Sequence, residues 1–91
     1  MTGQTDGEIL LDASELEPPE PLQRAIEILK QLAPGQYLRM LHRRLPNPLF
    51  DACDQLGIEY RHFPGEQVSW IVLFWRKDDP ITAKLCRKIA S

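Results

Sequence analysis

The sequence predicts an α/β (α+β) two-layer sandwich: a mixed four-stranded sheet with two helices on one face and a short C-terminal helix added. Three observations predict it. Apolar runs alternate with amphipathic segments in the order β-α-β-α-β-β. Pro34-Gly35, Asn47-Pro48 and Pro64-Gly65 punctuate the junctions. The first strand–helix–strand unit has short connections, the signature of a right-handed crossover between parallel strands. A tight turn, by contrast, joins the last two strands.

Each element has a local reason. Residues 1–7 are polar and carry two glycines, which reads as a flexible N-terminus. "EILLD" at 8–12 is a short apolar run suited to a buried strand. A helix is expected to begin near Pro19 to Pro21, because proline lacks an NH that a first turn would leave unpaired. Leu22, Ala25, Ile26, Leu29, Leu32 and Ala33 then share one helical face. "QYLRMLHRR" alternates as a strand, with Leu38, Met40 and His42 opposite Tyr37, Arg39 and Leu41. A second helix over "LFDACDQLG" has Asn47 placed as N-cap and Gly57 as terminator. "IEYRHF" and "VSWIVLFWRK" supply the remaining strands. Asp79 and Pro80 open a last helix whose apolar stripe is Ile81, Leu85 and Ile89. The organisation is thus a flexible segment at 1–7, a domain at 8–77 and a helical extension at 78–91.

Composition narrows function by exclusion. A chain of 91 residues holds one small core, and a net charge of -2 gives no general attraction to nucleic acid or anionic membrane. No apolar run reaches the ~20 residues that span a bilayer. The start "MTGQTDGE" has neither the basic nor the apolar region of a signal peptide, so a cytoplasmic location is expected. Cys53 and Cys86 are separated by 33 positions without a CxxC pairing, as free thiols in a reducing compartment would be. Together with His42 and His62 they lack zinc-ligand spacing. Neither a metal nor a cofactor is expected.

The stretch "LDASELEPPEPLQRAIEILKQLAPGQYLRML" resembles the TusA/SirA-like sulfur-carrier superfamily. Members carry Cys-Pro-x-Pro at the start of the first helix, with a persulfide on the cysteine. Pro19-Glu20-Pro21 corresponds to the Pro-x-Pro part, and Pro18 occupies the cysteine position. The fuller resemblance, over residues 8–77, is to a related family with a "PPEP"-type motif and a second motif seen here as "LPNPLF". It implies the sandwich fold and an association with redox or sulfur/nitrogen-oxide metabolism.

Chemistry separates this chain from a carrier. A helix N-terminus lowers a cysteine's pKa and raises its reactivity, whereas Pro18 offers neither a nucleophile nor a backbone donor. Parallel first and second strands would place His42, Arg43 and Arg44 beside Glu17 and Glu20. Two readings follow: a small anion held by His42, Arg43 and Arg44, or ion pairs between these arginines and those glutamates.

The final strand is apolar on both faces, with Trp70, Val72 and Phe74 opposite Ile71, Leu73 and Trp75. It requires cover on both sides. The cover is either the C-terminal helix, through Ile81 and Leu85, or a partner protein or second copy contacting Trp70, Val72, Phe74 and Trp75. The expected function is therefore non-enzymatic binding or adaptor work, in contact with a partner protein or homodimer and without nucleic acid or membrane. The rival is a thiol-dependent sulfur-transfer or redox accessory protein using Cys53 or Cys86.

Overall fold

The computed structural model describes residues 7–90. The expected flexible start falls outside these residues except for Gly7, whose carbonyl accepts from the Tyr37 NH at 2.8 Å. The elements run β1 (Glu8–Asp12), α1 (Glu20–Lys30), β2 (Tyr37–His42), α2 (Asn47–Leu56), β3 (Ile58–Pro64), β4 (Trp70–Arg76) and α3 (Pro80–Ala90). The four strands lie in the order β1-β2-β4-β3. β1 pairs parallel with β2, and β4 pairs antiparallel with both β2 and β3. The mixed sheet and the α+β class are as the sequence predicts.

Local chemistry accounts for the boundaries. Pro21 sits in the first turn of α1, where its missing NH costs nothing. α2 ends at Gly57, whose φ of 71° is the left-handed conformation that glycine adopts without a Cβ penalty. Asn47 does not cap α2: the cap position is Pro46, with no side-chain cap bond, and Asn47 is already helical. Asp79 does cap α3. Its Oδ1 accepts from the Thr82 NH at 3.2 Å and its Oδ2 from the Thr82 hydroxyl at 2.7 Å. Oδ2 also accepts from the Gly35 NH at 2.7 Å, so this carboxylate ties the start of α3 to the turn before β2. These bonds hold the Asp79 carboxyl below its ordinary pKa, the Gly35 NH contributing most.

The sheet buries a core on each face. On one, Ala25, Leu29 and Leu32 of the α1 segment and Leu49 and Cys53 of α2 meet Leu11, Leu38, Met40, Val72 and Phe74. On the other, Ala83 and Cys86 of α3 meet Tyr37, Leu73 and Trp75. The two-sided apolarity of β4 is thus answered within the chain, and α3 belongs to the same folded unit as the strands it covers.

Two expectations are corrected here. α3 docks through its small residues, Thr82, Ala83 and Cys86, which let the helix axis approach the sheet closely. The larger Ile81, Leu85 and Ile89 remain 83%, 44% and 40% exposed. Val72, Phe74 and Trp75, expected at a partner surface, have at most 2% of their surface exposed. Burying them against the chain's own helices satisfies their apolar area and leaves nothing for a partner to cover. Of that group only Trp70, at the open end of β4, is part-exposed.

Candidate functional site

The C-terminal ends of β1 and β2 and the start of β4 converge at one edge of the molecule. Parallel pairing of β1 with β2 sends both chains out of the sheet at this edge, towards the helix starts. The antiparallel register then sets Trp70 opposite His42. A cleft of about 670 Å³ opens there, within the ~300–1,000 Å³ range of small-molecule sites. Pro18, Pro19, Pro21 and Leu22 form one wall, at the entrance to α1. Leu45, Pro46, Asn47, Pro48 and Leu49 form the other, at the entrance to α2. His42, Arg43, Arg44 and Trp70 complete the lining. The Pro18–Pro19 peptide bond is cis.

The two proline-containing motifs, "PPEP" and "LPNPLF", therefore face each other across one cleft with the basic triplet between them. Five prolines make the walls stiff and mostly apolar, because each has a fixed φ and no NH to present. Little donor capacity comes from the helix ends. Glu20 NH donates to the Glu17 carbonyl and Gln23 NH to the Pro19 carbonyl, while Pro21 has no NH. At α2, the NH groups of Asn47, Leu49 and Phe50 donate to the carbonyls of Leu45, Pro46 and Pro46. The polar groups that line this cleft are therefore chiefly the side chains of Arg43, Arg44 and His42.

Those side chains are available. Among the described residues, neither Arg43 nor Arg44 forms an ion pair; Glu20 instead pairs with Arg24 at 2.9 Å along α1. The expected network with Glu17 and Glu20 does not form. Both arginines are exposed on the bend after β2. His42 Nδ1 accepts from the Arg44 NH at 3.1 Å, which leaves the proton of the neutral ring on Nε2. Burial first, then the positive charge of Arg43 and Arg44, holds His42 below its ordinary pKa of 6.5. Near neutral pH it is an uncharged donor beside two cations.

An aromatic row extends the site. His62 stands edge-on to Trp70, with ring centroids 5.4 Å apart. Phe50 stacks on Tyr60 at 4.1 Å with the planes 1° from parallel. Phe50 also lies 5.8 Å from His62, so one line of rings leads from the cleft along β3. Period-two alternation on β3 forecasts Tyr60 and His62 on one face. The contribution of Phe50, from a helix, has no signal in the sequence.

The cysteines stand apart from this site. Cys53 and Cys86 are both buried. Burial, with a smaller contribution from Asp54, pushes the Cys53 thiol up to about 11. Burial, then Asp79, pushes the Cys86 thiol up to about 12. The nearby basic residues of α3 do not activate Cys86, because its side chain faces the sheet and theirs face solvent. No group of three or more potential metal ligands occurs among the described residues.

No helix among the described residues is long and apolar enough to cross a membrane. Comparison with curated proteins and with solved structures gives no match. One family profile does match, over residues 10–76, a span that takes in both proline motifs, the basic triplet and Trp70. The chain belongs to the family described as an uncharacterized conserved protein, DUF2249.

Proposed function

We propose that this protein is a non-enzymatic binding module whose ligand occupies the cleft between the two proline motifs. The ligand has an apolar body and an anionic end. The body packs on Pro19, Pro21, Leu22 and Trp70, and the anion meets Arg43, Arg44 and the Nε2–H of His42. The single observation that carries this reading is that two unpaired guanidinium groups and a neutral imidazole border a stiff apolar cleft.

The same edge is where a TusA/SirA-like carrier would present its cysteine, and Pro18 at that position supports binding in place of sulfur transfer. The carrier-like scaffold also suggests the setting: a cytoplasmic adaptor in redox or sulfur/nitrogen-oxide metabolism, contacting its partner protein at the Pro18–Pro21 edge. The rival reading, thiol chemistry at Cys53 or Cys86, is disfavoured by the burial and raised pKa of both thiols.

Fluorescence titration tests the proposal, because Trp70 lies in the cleft while Trp75 is buried across the sheet. Phenyl phosphate should change the emission saturably, inorganic phosphate more weakly, and Trp70→Phe should abolish the response. A response that survives in Trp70→Phe, or equal responses to the two probes, would refute a cleft with both an apolar and an anionic subsite.

A further inference from the structure

β3 lies at one end of the strand order and pairs with β4 alone, so its other side is an open sheet edge. The ladder fixes which backbone groups face outward. The Gly57 carbonyl accepts from the Lys77 NH at 2.9 Å, and the Gly65 NH donates to the Ser69 carbonyl at 3.2 Å. Antiparallel bonding repeats at every second residue, so Glu59, Arg61 and Phe63 turn their NH and carbonyl groups towards β4. Ile58, Tyr60 and His62 turn theirs away from the sheet. Tyr60, Arg61 and His62 are exposed along this edge, Tyr60 by 39% although Phe50 stacks on its ring. Charge of one sign blunts an edge against pairing, but this edge carries both signs, with Glu59 and Arg61 two residues apart on one face. Arg61 forms no ion pair among the described residues. Glu59 has one long contact, from Arg87 to its Oε1 at 3.4 Å.

We propose that two copies of this chain join β3 to β3 about a two-fold axis at Tyr60, so that the two sheets run on as one. Self-complementarity selects a second copy as the occupant of this edge. Antiparallel pairing about Tyr60 sets Tyr60 against Tyr60 and Ile58 against His62, the residues whose backbone groups face outward. It also sets Glu59 of each copy against Arg61 of the other, as an isologous interface requires. Those pairs fall at the positions without mutual hydrogen bonds, where facing Cα atoms come within ~4.5 Å and opposite charges stabilise the pairing. Moving the axis by one residue loses the match. An axis at Arg61 opposes Arg61 to itself and brings in Pro64, which has no NH to give; an axis at Glu59 opposes two glutamates. An axis normal to the sheet also keeps α2 of both copies on one side and α3 of both on the other. No β3 residue lines the cleft, so the pairing is independent of ligand binding there.

Sedimentation velocity and amide hydrogen exchange on the full chain test the assignment, with circular dichroism to confirm that each variant is folded. The wild type should sediment as a dimer at micromolar concentration, with the Tyr60 and His62 amides protected. Neither Glu59 nor Arg61 is buried, so Glu59→Arg and Arg61→Glu should each give a folded monomer in which those amides exchange fast. An equimolar mixture of the two variants should dimerise again, because every facing pair then carries opposite charges. A monomeric wild type would overturn the proposal. So would a dimer that persists in either variant alone, a mixture that stays monomeric, or a wild-type dimer whose Tyr60 and His62 amides exchange freely.

Discussion

The Pro18→Cys variant offers the sharpest contrast between what this scaffold carries and what it lacks. Position 18 is exposed at the entrance to α1, on the wall of the cleft, with Arg43 and Arg44 across from it. A thiol introduced there meets solvent and positive charge, the conditions that favour thiolate. The native thiols meet the reverse. A rise from 9.0 to about 11 lowers the thiolate fraction of Cys53 at fixed pH about 100-fold, and a rise from 9.0 to about 12 lowers that of Cys86 about 1,000-fold. Both also require the core to open before a reagent can reach them. With a disulfide reagent such as Ellman's at neutral pH, wild-type protein should react at least ~100-fold more slowly than unfolded chain, with both thiols appearing only in denaturant. Pro18→Cys should add one fast equivalent and, given a persulfide donor, gain one sulfur by intact mass. Fast reaction of either cysteine in the folded wild type would refute the assignment of both thiols to the core and reopen sulfur chemistry.

Other expectations follow from the packing and the titrations. Phe74→Ala removes a fully buried ring between the sheet and its helices and should cost about 3–5 kcal/mol in urea unfolding; a loss below ~1 kcal/mol would contradict the core described. Ala83→Arg places a charged, bulky side chain in the seam between α3 and Trp75, and should red-shift tryptophan emission as α3 undocks. An unchanged spectrum and melting temperature would show that α3 does not depend on that seam. His42 has a folded pKa below its unfolded value near 6.5, so the unfolded chain takes up the proton first. Its contribution to stability is therefore present above pH 6.5 and lost as pH falls through the folded value; His42→Gln should flatten that loss, and identical pH profiles would contradict the assignment.

The sheet and its two covering helices were legible in the sequence because periodicity and turn chemistry agree along most of the chain. Pro21, Gly57 and Asp79 each act locally, and their roles can be read without knowing the fold. The β4 strand was legible as doubly buried, since Trp70 to Trp75 has no polar position. What covers it was not. The eye takes Ile81, Leu85 and Ile89 as the docking stripe of α3, whereas close packing on the broad ring of Trp75 favours the small Ala83 and Cys86. Hydrophobicity ranks side chains by transfer free energy, but a helix–sheet seam also selects by size. The cleft was half legible. The parallel crossover brings His42–Arg44 to the proline edge by topology alone, yet Trp70 enters through the β2–β4 register, a long-range pairing that no local pattern encodes.

The central claim is that the cleft binds an amphipathic anion through Arg43, Arg44 and His42. Its most direct test is an amide-correlation NMR titration of isotope-labelled protein with phenyl phosphate at millimolar concentration. Shifts should cluster at Leu22, at residues 42–45 and at the Trp70 indole, and should vanish in the doubly substituted Arg43→Glu, Arg44→Glu protein while its spectrum stays folded. Shifts that are absent, that map elsewhere, or that persist in that variant would contradict the account.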